Sequence, residues 1–179
     1  RLFWGKFIIQ SEYNKICAQK TTIGFVDHIT EVFGPLSFGG ILYILKNKEV
    51  KDVFIFRELL FDKKINSTTM VPALLNSLID LDKPKINPHL KSIHVSGESF
   101  KCDNYNQLFK HFPKSKIRNI YGSSEVSADA LCYLLTKNKA FKIKNKSIAI
   151  GKPISNTQIY ILDPQLNPVP IGVPGELHI

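Results

Sequence analysis

The stretch Asn119-Ile120-Tyr121-Gly122-Ser123-Ser124-Glu125 combines residue types suited to handling a nucleotide. It follows Lys116-Ile117-Arg118, which reads as the start of a strand, and precedes Val126-Ser127-Ala128. A turn of small residues at a strand's end leaves backbone N–H groups and the Ser123 and Ser124 hydroxyls free for phosphate oxygens. Tyr121 offers a flat ring that can stack on a base, and Glu125 a hard oxygen ligand for Mg²⁺. Tyr-Gly-Ser-Ser also occurs in ordinary turns, so the elements around this stretch have to carry the case.

Those elements alternate. Lys15–Ala18 has the pattern of a short strand, and apolar residues from Phe25 through Ile29, Val32, Phe33 and Leu36 recur at helical spacing. Gly39-Gly40 closes that segment, Ile41–Leu45 reads as a buried strand, and Val50–Lys63 as one helix. Ser67–Val71 is a strand, and Pro72 suits the first turn of a helix carrying Leu74, Leu75, Leu78 and Ile79. Leu90–Val95 is a strand ending in Ser96-Gly97-Glu98, and Tyr105, Leu108, Phe109 and Phe112 mark another helix. The fold class expected is α/β: a largely parallel sheet flanked by helices over residues 1–149, followed by the start of a smaller β-rich subdomain over 150–179. In such a sheet Ser96-Gly97-Glu98 and Gly122-Ser123-Ser124 fall on one edge, beyond the carboxyl ends of the strands, where ligands collect. Both ends read as cut from a longer protein, since Arg1-Leu2-Phe3-Trp4 begins and Gly175–Ile179 stops in mid-pattern.

Composition narrows the class. The chain of 179 residues is 44% hydrophobic, enough for a core, and no apolar run approaches the roughly 20 residues of a membrane span. Cys17, Cys102 and Cys132 form no C-x-x-C pair, so a cytoplasmic setting is expected. The net charge of +9 is spread over loops and helix exteriors, and the densest basic run, Lys137–Lys146, holds Phe141 but no repeated basic–aromatic pattern. This favours a solvated basic surface over nucleic-acid binding. His28, His89, His94, His111 and His178 show no metal-ligand spacing.

Several pieces then read together. Asn119–Glu125 resembles the N-x-Y-G-[PST]-[ST]-E motif of adenylate-forming enzymes. Ile150–Asp163 and Val173–Ile179 are similar to the stretches that follow it in amino-acid adenylation domains of non-ribosomal peptide synthetases. Phe25-Val26-Asp27-His28-Ile29-Thr30-Glu31-Val32-Phe33 resembles their F-D-x-S-V-x-E-x-F helix. The resemblance implies that ATP and an amino-acid carboxylate give an aminoacyl adenylate and pyrophosphate, and that the acyl group then passes to the phosphopantetheine thiol of a carrier domain, expected on the same longer polypeptide. It places Tyr121 on adenine, Gly97, Asn119 and Gly122 around it, Ser124 on the α-phosphate, and Glu125 on Mg²⁺; no membrane or nucleic-acid partner is implied. The family's phosphate loop, ribose-binding Asp and catalytic Lys are not within the chain, so residues 1–179 alone are expected not to catalyse the reaction.

Carried over residue by residue, the amino-acid pocket comprises Val26, Asp27, Thr30, Thr69, His94, Ser96, Ile120, Ala128 and Asp129. One departure stands out: the family's usual Asp for the α-amino group is Val26 here, and the acid is Asp27. Val-Asp early, Ser in the middle and Ala-Asp late resembles adenylation domains selecting β-alanine, with Asp129 the better placed for the displaced nitrogen. An ordinary α-amino acid, an acyl-CoA ligase of the same superfamily and a non-catalytic remnant or nucleotide-binding module are the alternatives. Asp27 and Asp129 also suit exposed helix starts.

Overall fold

The computed structural model describes residues 15–81, 87–101, 105–137 and 147–179. Arg1–Trp4, Cys102 and the basic residues 138–146 lie outside them. Strands β1 (Ile16–Gln19), β2 (Ile41–Ile44), β3 (Ser67–Met70), β4 (Ser92–Val95) and β5 (Lys116–Tyr121) are parallel. Two antiparallel strands, β6 (Leu131–Leu135) and β7 (Lys152–Pro153), complete a seven-stranded sheet of order β2-β1-β3-β4-β5-β6-β7. A separate antiparallel pair, β8 (Tyr160–Leu162) and β9 (Glu176–His178), forms a small second sheet. The mostly parallel sheet flanked by helices is thus present, and its last strand, β7, reaches beyond residue 149.

The helices are α1 (Asp27–Ser37), α2 (Asn47–Lys51), α3 (Val53–Asp62), α4 (Pro72–Ile79) and α5 (Tyr105–His111). The crossover from β1 to β2 runs one way along the sheet, and those from β2 to β3, β4 and β5 run the other. Right-handed connections then put α1 on one face and α3, α4 and α5 on the other. The strand order reverses between β1 and β3, the place where an open α/β sheet leaves a crevice.

Alternation along the strands gives the two faces different chemistry. Met70, Ile93, Val95 and Ile117 join Phe56, Leu60, Leu75, Leu78 and Leu108 in one buried apolar cluster. Each such side chain contributes roughly 1.5–3 kcal/mol by leaving water. Thr69, Ser92, His94 and Arg118 alternate with them on the opposite, polar face.

Two expectations need correction. Ile41–Leu45 reads as a buried strand, yet Ile41 is 61% and Ile44 68% exposed. Among the described residues β2 is the sheet's outer strand and pairs on one side, a neighbour relation that local sequence does not encode. The single helix expected over Val50–Lys63 is two, α2 and α3. Asp52 between them is extended (φ −100°, ψ 112°), and its Oδ1 accepts from Phe54 N at 2.9 Å and Ile55 N at 3.1 Å. Asp52→Ala is expected to cost about 1 kcal/mol, the usual loss for an N-cap, read as a lower denaturant midpoint with unchanged slope. An unchanged midpoint would deny the cap any weight.

Candidate functional site

β5 delivers Asn119, Ile120 and Tyr121 to the carboxyl edge of the sheet, and the chain then folds back tightly into β6. Ser123 O accepts from Val126 N at 3.3 Å and Ala128 N at 2.8 Å, and Tyr121 O accepts from Ala130 N at 2.8 Å. Ser124–Val126 form one 3₁₀ turn, after which Ser127 and Ala128 adopt left-handed φ of 62° and 74°. Gly122 is required by this geometry: a Cβ there would stand 1.5 Å from Ala128 O. Gly122→Ala is therefore expected to destabilise by about 3 kcal/mol, the top of the range for overpacking. A melting temperature matching the parent's would mean that the turn relaxes freely.

β6, Leu131-Cys132-Tyr133-Leu134-Leu135, is an apolar run of strand length that the motifs above do not include. Its pairing with β5, Ile120 opposite Cys132 and Asn119 opposite Tyr133, is what holds the turn in place.

Two cavities open along this edge, and they share Gly97 and Glu98. One, of about 400 Å³, lies beside Phe100, Asn119, Tyr121, Gly122 and Ile148. Tyr121 is 43% exposed there. Asn119 is buried, and its Nδ2 donates to Ile148 O at 3.3 Å and Ala149 O at 3.1 Å. With both amide hydrogens so committed, its Oδ1 is the atom left to accept from a ligand. Gly97 turns at φ +95°, a left-handed conformation suited to glycine. Glu125 is open to solvent at the turn. The Ser123 hydroxyl, then its own backbone N–H, hold its carboxyl below the usual range.

The other cavity, of about 350 Å³, lies at the switch point, with Lys20 and Thr21 after β1, Asp27 at the start of α1, Thr69 at the end of β3, and Ser96 after β4. Of the pocket residues expected from sequence, Asp27, Thr69 and Ser96 line it. Val26 is half-buried at the N-cap of α1 and brings no charge. Ile120, Ala128 and Asp129 are buried near the β5–β6 turn and are not among the residues lining the cavity. Of the two acids expected in the pocket, Asp27 reaches the cavity wall and Asp129 does not. Thr30 Oγ1 is buried without a hydrogen-bond partner among the described residues.

His94 lies on the polar face between Thr69 and Arg118. Arg118 Nη1 donates to Ser92 Oγ at 2.6 Å, and Ser92 Oγ lies 3.0 Å from His94 Nε2. The Ser92 hydroxyl thus links the Arg118 guanidinium to the His94 ring. Burial, then the Arg118 guanidinium, push the His94 pKa down to about 3, so the ring is neutral at physiological pH.

Fold and site together define an α/β protein with a tight small-residue turn and two adjoining cavities at the carboxyl edge of a mostly parallel sheet. The chain belongs to the AMP-binding enzyme family, whose sequence profile matches residues 7–179. It is 35% identical over 153 residues to bacitracin synthase 1 of Bacillus licheniformis, an alignment covering 84% of this chain and 3% of that one. It superposes with a TM-score of 0.82 and 28% identity on a four-domain nonribosomal peptide synthetase bound to AMP and glycine, covering 98% of this chain and 13% of that one. A nonribosomal peptide synthetase protein containing adenylation and carrier domains gives a TM-score of 0.80 at 22% identity, over 92% of this chain and 28% of that one, and bears on the fold alone. The chain spans only a small part of each of these relatives.

Proposed function

We propose that the full-length protein carrying this chain is an ATP-dependent, AMP-forming ligase of the peptide-synthetase type, with β-alanine as its amino acid. The observation that carries it is the pair of cavities meeting at Gly97–Glu98. One suits a nucleotide and the other a small polar acid, so a carboxylate in the second can meet a phosphate in the first. Adenine stacks on Tyr121 beside Gly97 and Gly122, and the Asn119 Oδ1 accepts from its exocyclic amine. The Ser124 hydroxyl binds the α-phosphate. Glu125 suits Mg²⁺, an ion that is commonly held by one carboxylate with substrate phosphates and waters completing the shell. The carboxylate attacks the α-phosphorus and pyrophosphate leaves, a displacement that needs alignment and charge neutralisation more than a protein nucleophile.

The acyl group is then expected to pass to the phosphopantetheine thiol of a carrier domain. The peptide-synthetase relatives support that partner, and a cytoplasmic setting belongs to the same reading. Among the described residues no helix is long and apolar enough to cross a membrane.

Val26 and Asp27 support β-alanine. The α-position lacks a charged partner where Val26 stands, and Asp27 offers one a step away. Asp27, Thr69 and Ser96 line the amino-acid side of the site in this reading, and Val26, Thr30, His94, Ile120, Ala128 and Asp129 are the further positions that the family resemblance assigns to it. The test is ATP–pyrophosphate exchange by the full-length protein across a panel of amino acids. β-Alanine is expected ahead of glycine and L-alanine. Preference for an α-amino acid would sink β-alanine alone, and no acid-dependent exchange would sink the adenylation function.

A further inference from the structure

Glu31 stands in the middle of α1 and is 5% exposed, an acid at a place where a helix ordinarily turns an apolar side chain to the core. Its Oε2 accepts from Lys20 N at 3.1 Å and Thr21 N at 2.9 Å, and its Oε1 from the Thr21 hydroxyl at 2.9 Å. The three bonds form a bracket between α1 and the segment leaving β1, whose Lys20 and Thr21 belong to the wall of the cavity at the switch point. Burial pushes the Glu31 carboxyl up, and the Thr21 backbone donor, the Lys20 charge, the Lys20 backbone donor and the Thr21 hydroxyl oppose the rise.

Local structure does little to fix the start of α1. Thr22, Ile23, Gly24 and Phe25 are exposed on the way to it, Ile23 at 85% and Phe25 at 68%. Val26 at the N-cap makes no side-chain cap hydrogen bond, having no acceptor to offer. Thr22 O accepts from Phe25 N at 3.0 Å, and Phe25 O from His28 N at 3.1 Å, turns that bind the segment to itself rather than to the sheet. Asp27 is the first residue of α1, and Glu31 follows one turn later, about 6 Å along the same helix face. The bracket thus sits one turn behind the acid that reaches the cavity. A slide or rotation of α1 on the sheet would move Asp27 relative to Thr69 and Ser96, which β3 and β4 carry to the same cavity. Misplacing an aligned group by about 1 Å can cost about 10²-fold in rate.

We propose that Glu31 is a positioning residue for substrate selection: its bracket to Lys20 and Thr21 sets the placement of α1 that brings Asp27 to the amine of the amino acid. The assignment rests on the adenylation function and the Asp27 site above, and deepens them. Glu31 touches no substrate in this role, so its loss acts through Asp27. A merely structural role would instead lower stability, or the use of every substrate, and leave the choice between an acid with an amine and one without it untouched.

The experiment is ATP–pyrophosphate exchange by the full-length protein, using the best amino acid of the panel and its counterpart lacking the amine. Glu31→Ala removes the bracket, and Glu31→Asp keeps the charge but shortens its reach by one carbon. Preference, the ratio of kcat/KM for the two acids, is expected to fall about tenfold in Glu31→Ala and about threefold or more in Glu31→Asp. The KM for ATP is expected to stay within about twofold in both. Glu31→Gln can keep the bracket, its Oε1 accepting from both backbone N–H groups and its amide donating to the Thr21 hydroxyl, so preference is expected within about twofold of the parent. With Asp27→Asn already present, Glu31→Asp is expected to change preference no further, since the two residues act as one. If Glu31→Ala does not fold, the Asp, Gln and double variants decide. An unchanged preference in Glu31→Asp, a fall in Glu31→Gln as large as in Glu31→Asp, a parallel rise in the KM for ATP, or the same loss with and without Asp27→Asn would each overturn the positioning role. Absence of exchange with any acid in the parent would overturn the adenylation function, and preference kept in Asp27→Asn would overturn the amine site; either result takes this assignment with it.

Discussion

Replacing Glu125 by Gln is expected to lower ATP–pyrophosphate exchange by about 10²-fold or more while leaving the melting temperature unchanged. The side chain is fully exposed on the 3₁₀ turn, so the fold asks little of it. Its carboxyl is held below its usual range by the Ser123 hydroxyl and backbone N–H. The ionised form therefore persists further into acid than for an ordinary glutamate, and the side chain is a full anion wherever the reaction runs. Gln has the same shape and keeps one acceptor, so the substitution isolates the charge that would neutralise Mg²⁺ and the departing phosphates. The Mg²⁺ concentration needed for half-maximal rate is expected to rise together with the loss of rate. Ser123→Ala should have little effect at neutral pH, because a glutamate with an ordinary pKa is already ionised there. Exchange within about threefold of the parent, at less than 1 kcal/mol of barrier, would remove Glu125 from metal binding.

The elements carrying this site were legible for local reasons. β5 runs directly into the small residues Gly122, Ser123 and Ser124, and α4 announces itself by Pro72 and the spacing of Leu75, Leu78 and Ile79. Gly97 and Gly122 mark places where the backbone needs a left-handed turn or a close approach. What escaped depends on neighbours remote in sequence. Ile41–Ile44 has the composition of a central strand and becomes an edge because the chain reverses direction at β1. Asp52 sits within a helix-compatible run, and only its carboxylate, turned onto Phe54 N and Ile55 N, reveals a break.

The site repeats the lesson. Glu31 could be taken for a surface acid on an amphipathic helix, yet α1 turns Glu31, Gly34 and Pro35 inwards and leaves Ile29, Phe33 and Leu36 between 37% and 53% exposed. The bracket to Lys20 and Thr21 requires β1 and α1 to be placed first. Likewise Asp129 follows two left-handed residues, Ser127 and Ala128, which redirect the chain in a way that side-chain types do not announce. Its distance in sequence from Glu125 therefore says little about which cavity it meets.

Asp27 and Asp129 can be separated by what their loss does to selectivity. An ammonium taken from water into a partly buried cavity needs a carboxylate beside it, or its desolvation goes uncompensated. Asp27 lines the cavity at the switch point together with Thr69 and Ser96, and Val26 beside it supplies no charge. In β-alanine the nitrogen lies one bond, about 1.5 Å, further from the carboxylate than in an α-amino acid. A displacement of that size calls for an acid displaced from the usual position, which is the change from Val26 to Asp27. Asp27→Asn in the full-length protein is therefore expected to reduce kcat/KM for β-alanine by about 10²–10³-fold, roughly 3–4 kcal/mol. Propionate, which has no amine, should be nearly unaffected, so the preference for the amino acid over propionate collapses. Asp129 is 6% exposed and packed behind the turn, so Asp129→Asn is expected to lower the melting temperature and to weaken use of both acids alike. The reverse pattern, with selectivity lost in Asp129→Asn and kept in Asp27→Asn, would return the amine to Asp129 and move the amino-acid site towards the β5–β6 turn.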